Sequence, residues 1–120
     1  TPIDSNMTTK RLVNIKKQHF KDVKIGMCRV FEGEGGTARF SKIDSIQVAG
    51  KTGTAENPHG DDHSMFMGFA PVDNPQIAIA VIVENAGFGS QWAAPIASLM
   101  IEKYLRGYVK NTNKEKRFIE

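Results

Sequence analysis

Between Gln18 and Glu32 the apolar residues Phe20, Val23, Met27, Val30 and Phe31 recur at steps of three and four. That spacing lays one stripe along an amphipathic helix. Gly33, Gly35 and Gly36 follow, and are expected to end it through the left-handed conformation that glycine adopts at least cost. Upstream, residues 1–17 are polar and broken by Pro2, with only Ile3, Met7, Leu12, Val13 and Ile15 apolar. They read as a connecting segment that ends in a short extended piece.

After Ile43 the period changes from helical to two. Ile46, Val48, Gly50 and Thr52 alternate with Gln47, Ala49 and Lys51, which puts Lys51 and Thr52 on opposite faces of a strand. Residues 57–62 are dense in turn formers and predict an exposed loop. A second strand runs from Ser64 to Val72, closed by Pro71 and by Asp73-Asn74-Pro75. Gln76 to Glu84 is apolar on both faces from Ile77 to Val83, the pattern of a central strand covered on each side. Gaps this short favour hairpins and hence an antiparallel meander. Ser90 is placed to cap a last helix reaching about Arg106, with Trp92, Ile96, Leu99, Met100 and Tyr104 on its apolar face. Pro95 falls in its first turns, where a missing N–H costs little, and Gly107 stops it. From Lys110 onward the chain is charged and is expected to fray. The class is α+β: amphipathic helices packed on an antiparallel β-meander.

Composition narrows this without redirecting it. The 120 residues, 40% apolar and 24% charged, suit one globular domain. No apolar run approaches the roughly 20 residues of a membrane helix. The net charge is +3, and most of the excess lies between Lys10 and Lys24, where Asp22 is the one acid. Only Phe20 interrupts that patch and no nucleic-acid module accompanies it, so no nucleic-acid partner is expected. A solvated face, or one turned to an anionic cell-surface polymer, fits better. Cys28 is the one cysteine, which excludes an internal disulfide and a cysteine-rich metal site. The opening Thr-Pro-Ile-Asp carries neither initiator nor leader pattern, and the chain is expected to be a piece of a longer one.

The chemistry concentrates in Val48 to Glu56, Val-Ala-Gly-Lys-Thr-Gly-Thr-Ala-Glu. Physically this is a strand with an ammonium (Lys51), two hydroxyls (Thr52, Thr54) and two positions, Gly50 and Gly53, where another backbone can come close. Lys51 and Gly53 share one face, Thr52 and Thr54 the other. The combination suits an anionic, peptide-like ligand laid along the strand. A bare Lys-Thr-Gly is common, and by itself reads more readily as a strand with an ordinary surface lysine. His59, Asp61, Asp62 and His63 have the residue types of a metal site, yet all sit among turn formers. They are read as an exposed loop, with no metal and no cofactor expected. The Met65, Phe66, Met67, Phe69 run is read as strand and core packing.

Ala49 to Glu56 resembles the extended Lys-Thr-Gly motif of the penicillin-binding proteins and serine β-lactamases, and of the class B penicillin-binding proteins in particular. Gly26-Met27 with Val30, then Gly35-Gly36-Thr37-Ala38, then Asp62 to Pro71 add matches in the family's order. The resemblance spans about residues 18 to 105 and is similar to the elongation-type, penicillin-binding protein 2-like transpeptidases of cell-shape maintenance. It implies a partial penicillin-binding-protein transpeptidase fold over 1–108, with 109–120 a charged disordered tail. It also implies a peptidoglycan D,D-transpeptidase in the cell envelope, on the extracytoplasmic face of the inner membrane, with its anchor outside this chain. The partners would be stem peptides and β-lactams.

In that scheme Lys51 supplies positive charge beside the serine of the family's second motif, Ser-x-Asn, and the hydroxyls of Thr52 and Thr54 bind the terminal carboxylate. The Thr54 N–H serves the oxyanion hole and Gly53 lets the acyl group approach. Yet none of Ser5, Ser41, Ser45, Ser64, Ser90 or Ser98 heads a Ser-x-x-Lys or Ser-x-Asn motif. A nucleophile with its base is what makes an acyl-enzyme, so the isolated chain is expected to be inactive. The reading is the C-terminal third of a transpeptidase domain, needing the remainder of that domain as partner and prone to self-association without it. The rival readings are a non-catalytic binding or scaffold domain of the same fold, and a basic surface-binding module with a chance Lys-Thr-Gly.

Overall fold

The computed structural model describes residues 2–119, and its elements follow the expected order with additions at both ends. Helix α1 (Ser5–Thr8) is a single turn in which Asn6 N–H donates to the Asp4 carboxylate. Helix α2 (Lys17–Glu32) and a 3-10 turn (Arg39–Ser41) lead into strands β1 (Ala49–Ala55), β2 (His63–Ala70) and β3 (Ile77–Val83). Helices α3 (Ala93–Arg106) and α4 (Thr112–Ile119) close the chain. The sheet is an antiparallel meander in the order β1-β2-β3, with Thr52 opposite Phe66 and Phe66 opposite Val81.

Period two then sorts the residues. Gly50, Thr52, Ser64, Phe66, Ile79 and Val81 share one face, which α3 and the end of α2 cover. Lys51, Gly53, Met65, Met67, Ala80 and Ile82 share the other. The core gathers Phe31, Val48, Phe66, Ala70, Ala93, Ala94, Ala97 and Ile101. Phe31 meets Phe66 edge to face at 5.8 Å, the geometry ring quadrupoles prefer.

Several expectations are corrected. The strand read as central, β3, lies at the sheet edge, and β2 is the middle one. Ile82 on β3 is 62% exposed, because nothing among the described residues packs on its face. The α2 stripe is buried only at its C-terminal end: Phe31 is covered, while Phe20 and Val23 stand in solvent. Gly33 is extended (φ −69°, ψ 146°) and not left-handed. What its place and that of Gly36 require is space, since a Cβ would lie 2.6 Å from Arg29 O at Gly33 and 2.4 Å from Val30 O at Gly36. The chain folds back over the helix end there, and Ala38 N–H donates to Val30 O at 2.9 Å.

Ser90 does not cap α3. Trp92 holds the N-cap position without a side-chain bond, and the first helical N–H, that of Ala93, is met instead from the sheet. The Ser64 hydroxyl, wholly buried on β2, accepts from Ala93 N–H at 3.0 Å and donates to Phe88 O at 3.0 Å. Gly107 ends α3 as expected, with φ 88°.

The tail beyond Lys110, expected to fray, forms α4 because neighbours hold it. Phe118 stacks edge to face on Trp92 at 6.1 Å, Arg117 lies over the same indole at 5.2 Å, and Asn111 Oδ1 accepts from Asn113 N–H at the helix start. Lys110 pairs with Asp44, and its N–H donates to the buried Glu102 carboxylate at 3.1 Å.

The Lys110 ammonium holds the Asp44 carboxyl below its ordinary value of 3.8, by hydrogen bond and by charge. A carboxyl depressed in the folded state adds stability that is present above its unfolded value and is lost as pH falls through the folded one. Acid below about pH 4 should therefore loosen this joint. In a carboxyl titration followed by NMR, Lys110→Ala should raise the Asp44 midpoint toward the ordinary value, with Arg106 and Ser45 still lowering it; an unchanged midpoint would mean that the pair does not form.

Candidate functional site

The Lys-Thr-Gly segment occupies the middle of β1, which among the described residues has a neighbour on one side only. In an antiparallel pair both main-chain groups of a residue point the same way, alternately toward and away from the partner strand. Gly53 N and O lie together with Met65 O, its register partner, so Gly53 points inward to β2. The N–H and C=O of Thr52 and Thr54 then point to the open edge. Lys51 Nζ donates to the outward carbonyl of Thr52 at 2.6 Å. The ammonium is thus folded onto the edge.

The threonines share a face, as expected, but not an environment. Thr52 is buried, and its hydroxyl is bonded to that of Thr37 at 2.8 Å, whereas Thr54 is exposed. In the sequence Thr37 stands out only as part of Gly-Gly-Thr-Ala. Gly33 and Gly36, where a Cβ would strike the end of α2, let the chain turn back there and bring this hydroxyl to β1.

Beside Lys51 a cleft of about 370 Å³ is lined by Gly26, Arg29, Gly33, Gly35, Gly36 and Thr37. Its charged lining, Arg29 and Lys51, is cationic, and the four glycines leave main chain uncovered. A carboxylate or a peptide main chain would meet donors here. A larger cavity of about 1130 Å³ opens between the 3-10 turn, α3 and α4. Its cations are already engaged: Lys114 on Phe40 and Lys42 carbonyls, Arg117 on Gln91 O, Lys110 on Asp44. The open edge of β1 is the better candidate.

The histidine and aspartate cluster is tied into its loop. His63 Nδ1 accepts from Asn85 N–H at 3.0 Å, Asp62 Oδ1 from Asn57 N–H at 3.2 Å, and His59 N–H donates to Asn57 Oδ1. Cys28 is half-buried on α2, where burial pushes its thiol up and so keeps it protonated and weakly nucleophilic at neutral pH.

Residues 4–102 match the penicillin binding protein transpeptidase domain. The chain belongs to that family. It is 40% identical over 98 residues to the peptidoglycan D,D-transpeptidase MrdA of Haemophilus influenzae, covering 68% of this chain and 15% of that protein. It is 42% identical over 76 residues to the peptidoglycan D,D-transpeptidase PbpA of Mycobacterium tuberculosis, covering 54% of this chain and 15% of that one. Among solved structures, Pseudomonas aeruginosa PBP2 in complex with WCK 5153 superposes with a TM-score of 0.70 at 39% identity, covering 84% of this chain and 23% of the other. Penicillin-binding protein A of M. tuberculosis, as a ceftriaxone acyl-enzyme, gives 0.65 at 32% identity over 76% of this chain and 22% of that one. The chain spans about a seventh of the length of these curated relatives.

Proposed function

We propose that this chain supplies the Lys-Thr-Gly wall of the active site in a peptidoglycan D,D-transpeptidase. What supports the reading is the edge of β1, unpaired among the described residues, where Lys51 lines a cleft whose charged lining is cationic and Thr52, the next residue, is bonded to Thr37 of the same cleft. A serine from the rest of the transpeptidase domain attacks the penultimate carbonyl of a D-alanyl-D-alanine stem. D-alanine leaves, and the acyl group passes to the amine of a second stem. The extended stem lies along β1 as an added strand, its terminal carboxylate on the Thr52 and Thr54 hydroxyls. The outward N–H of Thr54 donates to the oxyanion, a role for which losing one donor elsewhere costs about 100- to 1000-fold in rate. β-Lactams follow the same path and stop at the acyl-serine.

The enzyme would work at the extracytoplasmic face of the inner membrane. Among the described residues no helix is long and apolar enough to cross a membrane, and the proposal assigns the anchor to the remainder of the protein. That remainder would also cover the open face of the sheet around Met67 and Ile82.

Penicillin labelling followed by mass spectrometry tests the reading. The complete domain should carry one serine-linked adduct and the isolated chain none. Thr52→Val, which keeps shape and removes a hydroxyl, should weaken carboxylate binding by about 1–3 kcal/mol, the range for a hydrogen bond to a charged group. A complete domain that takes no label would favour the scaffold alternative. A serine-linked adduct on the isolated chain would refute the fragment reading.

A further inference from the structure

Gly89 has no room for a side chain: a Cβ there would sit 2.3 Å from Met65 O, 2.4 Å from Gly53 O and 3.0 Å from Gly53 N. The strap of residues 84–90 that follows β3 therefore lies flat on the β1–β2 ladder, at the glycine of Lys-Thr-Gly. Two sets of bonds hold it down. Toward α3 the Ser64 hydroxyl takes Phe88 O. At the other end Asn85 is bonded through main chain and side chain together: its N–H donates to His63 Nδ1 at 3.0 Å, and its Oδ1 accepts from Asn57 Nδ2 at 2.7 Å. The N–H groups of Ala86 and Gly87 add bonds to Asp62 O at 3.1 and 2.7 Å. Asn85 sits in the left-handed region at φ 53°, a conformation that persists where the surroundings over-determine it. The 57–62 loop and the strap thus form one clasp across the end of β1 and β2, where Ala55 faces His63 and Thr54 faces Ser64.

We infer that His63, Asn57 and Asn85 are positioning residues for the Lys-Thr-Gly strand, closing the strap on Gly53 so that the outward groups of Thr52 and Thr54 hold their place when ligand arrives. This rests on the function proposed above for that strand. The bond to Asn85 needs an imidazole with a bare Nδ1, which is an acceptor only when that nitrogen carries no proton. The imidazole of His59, in the same loop, makes no bond to the strap among the described residues; only its main-chain N–H is bonded, to Asn57 Oδ1.

The test uses the complete transpeptidase domain and measures penicillin acylation over a concentration series, which separates binding from the acylation rate constant. His63→Ala should lower that rate constant about fivefold, the scale of one neutral hydrogen bond. His63→Asn, whose Oδ1 can take the place of Nδ1, should restore it. Asn57→Ala should follow His63→Ala, and His59→Ala should match the parent. Parent-like acylation in both His63→Ala and Asn57→Ala, or no rescue by His63→Asn, would overturn the inference. Lys51→Ala in the same series keeps the two readings apart. If it is inactive while His63→Ala acylates normally, the clasp alone fails; if it too acylates normally, the Lys-Thr-Gly reading has failed with it.

Discussion

Lys51→Ala in the complete domain is expected to slow acylation by penicillin about 100-fold, the scale on which one preorganised charge-stabilising group acts. Two roles are lost at once. The ammonium is folded onto the outer edge of β1, donating to Thr52 O, and so stands where the carboxylate of an added strand would arrive. It also brings cationic charge to the cleft it shares with Arg29. Alanine leaves Arg29, which can still attract an anion but lies on α2 rather than on the strand that orders the ligand. Binding should therefore suffer less than rate. Lys51→Arg keeps charge without the compact ammonium, and should recover binding better than acylation. An alanine variant that acylates within about twofold of the parent, the range of ordinary surface changes, would remove Lys51 from the site.

Gly89→Ala is expected to cost the fold about 3–5 kcal/mol, read as a lowered urea or thermal midpoint of the complete domain. The new methyl would meet main-chain oxygens of Met65 and Gly53, in the interior of a paired ladder, and neither can swing aside as a side-chain tip would. Either the ladder parts or the strap lifts. Lifting strips Ser64, wholly buried, of its bonds to Phe88 and to the first N–H of α3. Overpacking and an orphaned buried hydroxyl each cost about 1–3 kcal/mol. Gly87→Ala is the control: it has φ 82° but open space around it, so only the backbone penalty of about 1 kcal/mol applies. Equal losses from the two substitutions would mean that the strap does not rest on β1.

The element order and the position of Lys-Thr-Gly on a strand were legible because both follow from local period. The three- and four-residue steps of α2 and the alternation through Lys51 needed no partner to be read. Contacts between distant segments were not legible. Ser64 looked like a strand residue at the head of an apolar run, and its one signal was a hydroxyl on the face that also carries Phe66. Ser90 had the right chemistry for a cap, but the hydroxyl that reaches Ala93 comes from β2, 29 residues upstream. The unbroken apolar pattern of β3 shows that both faces are apolar, but cannot say what lies against each. The helix α4 did carry a local signal, Asn111 ahead of Glu115 and Phe118, that the charge of the segment outweighed. At the site, a peptide-like ligand laid along β1 implies a free edge, but the strand order that provides it is a property of the sheet and not of the strand.

Trp92 is the one tryptophan of the chain, and it stands at the joint where Phe118 and Arg117 of α4 meet the start of α3. Its emission is therefore an optical gauge of a single contact rather than of the whole fold. Release of α4 would bare the indole to water and shift the spectrum to the red, while the sheet and the core around Phe66 stayed intact. Undocking of one helix and loss of the fold would then be separate events in one spectrum, with no label added.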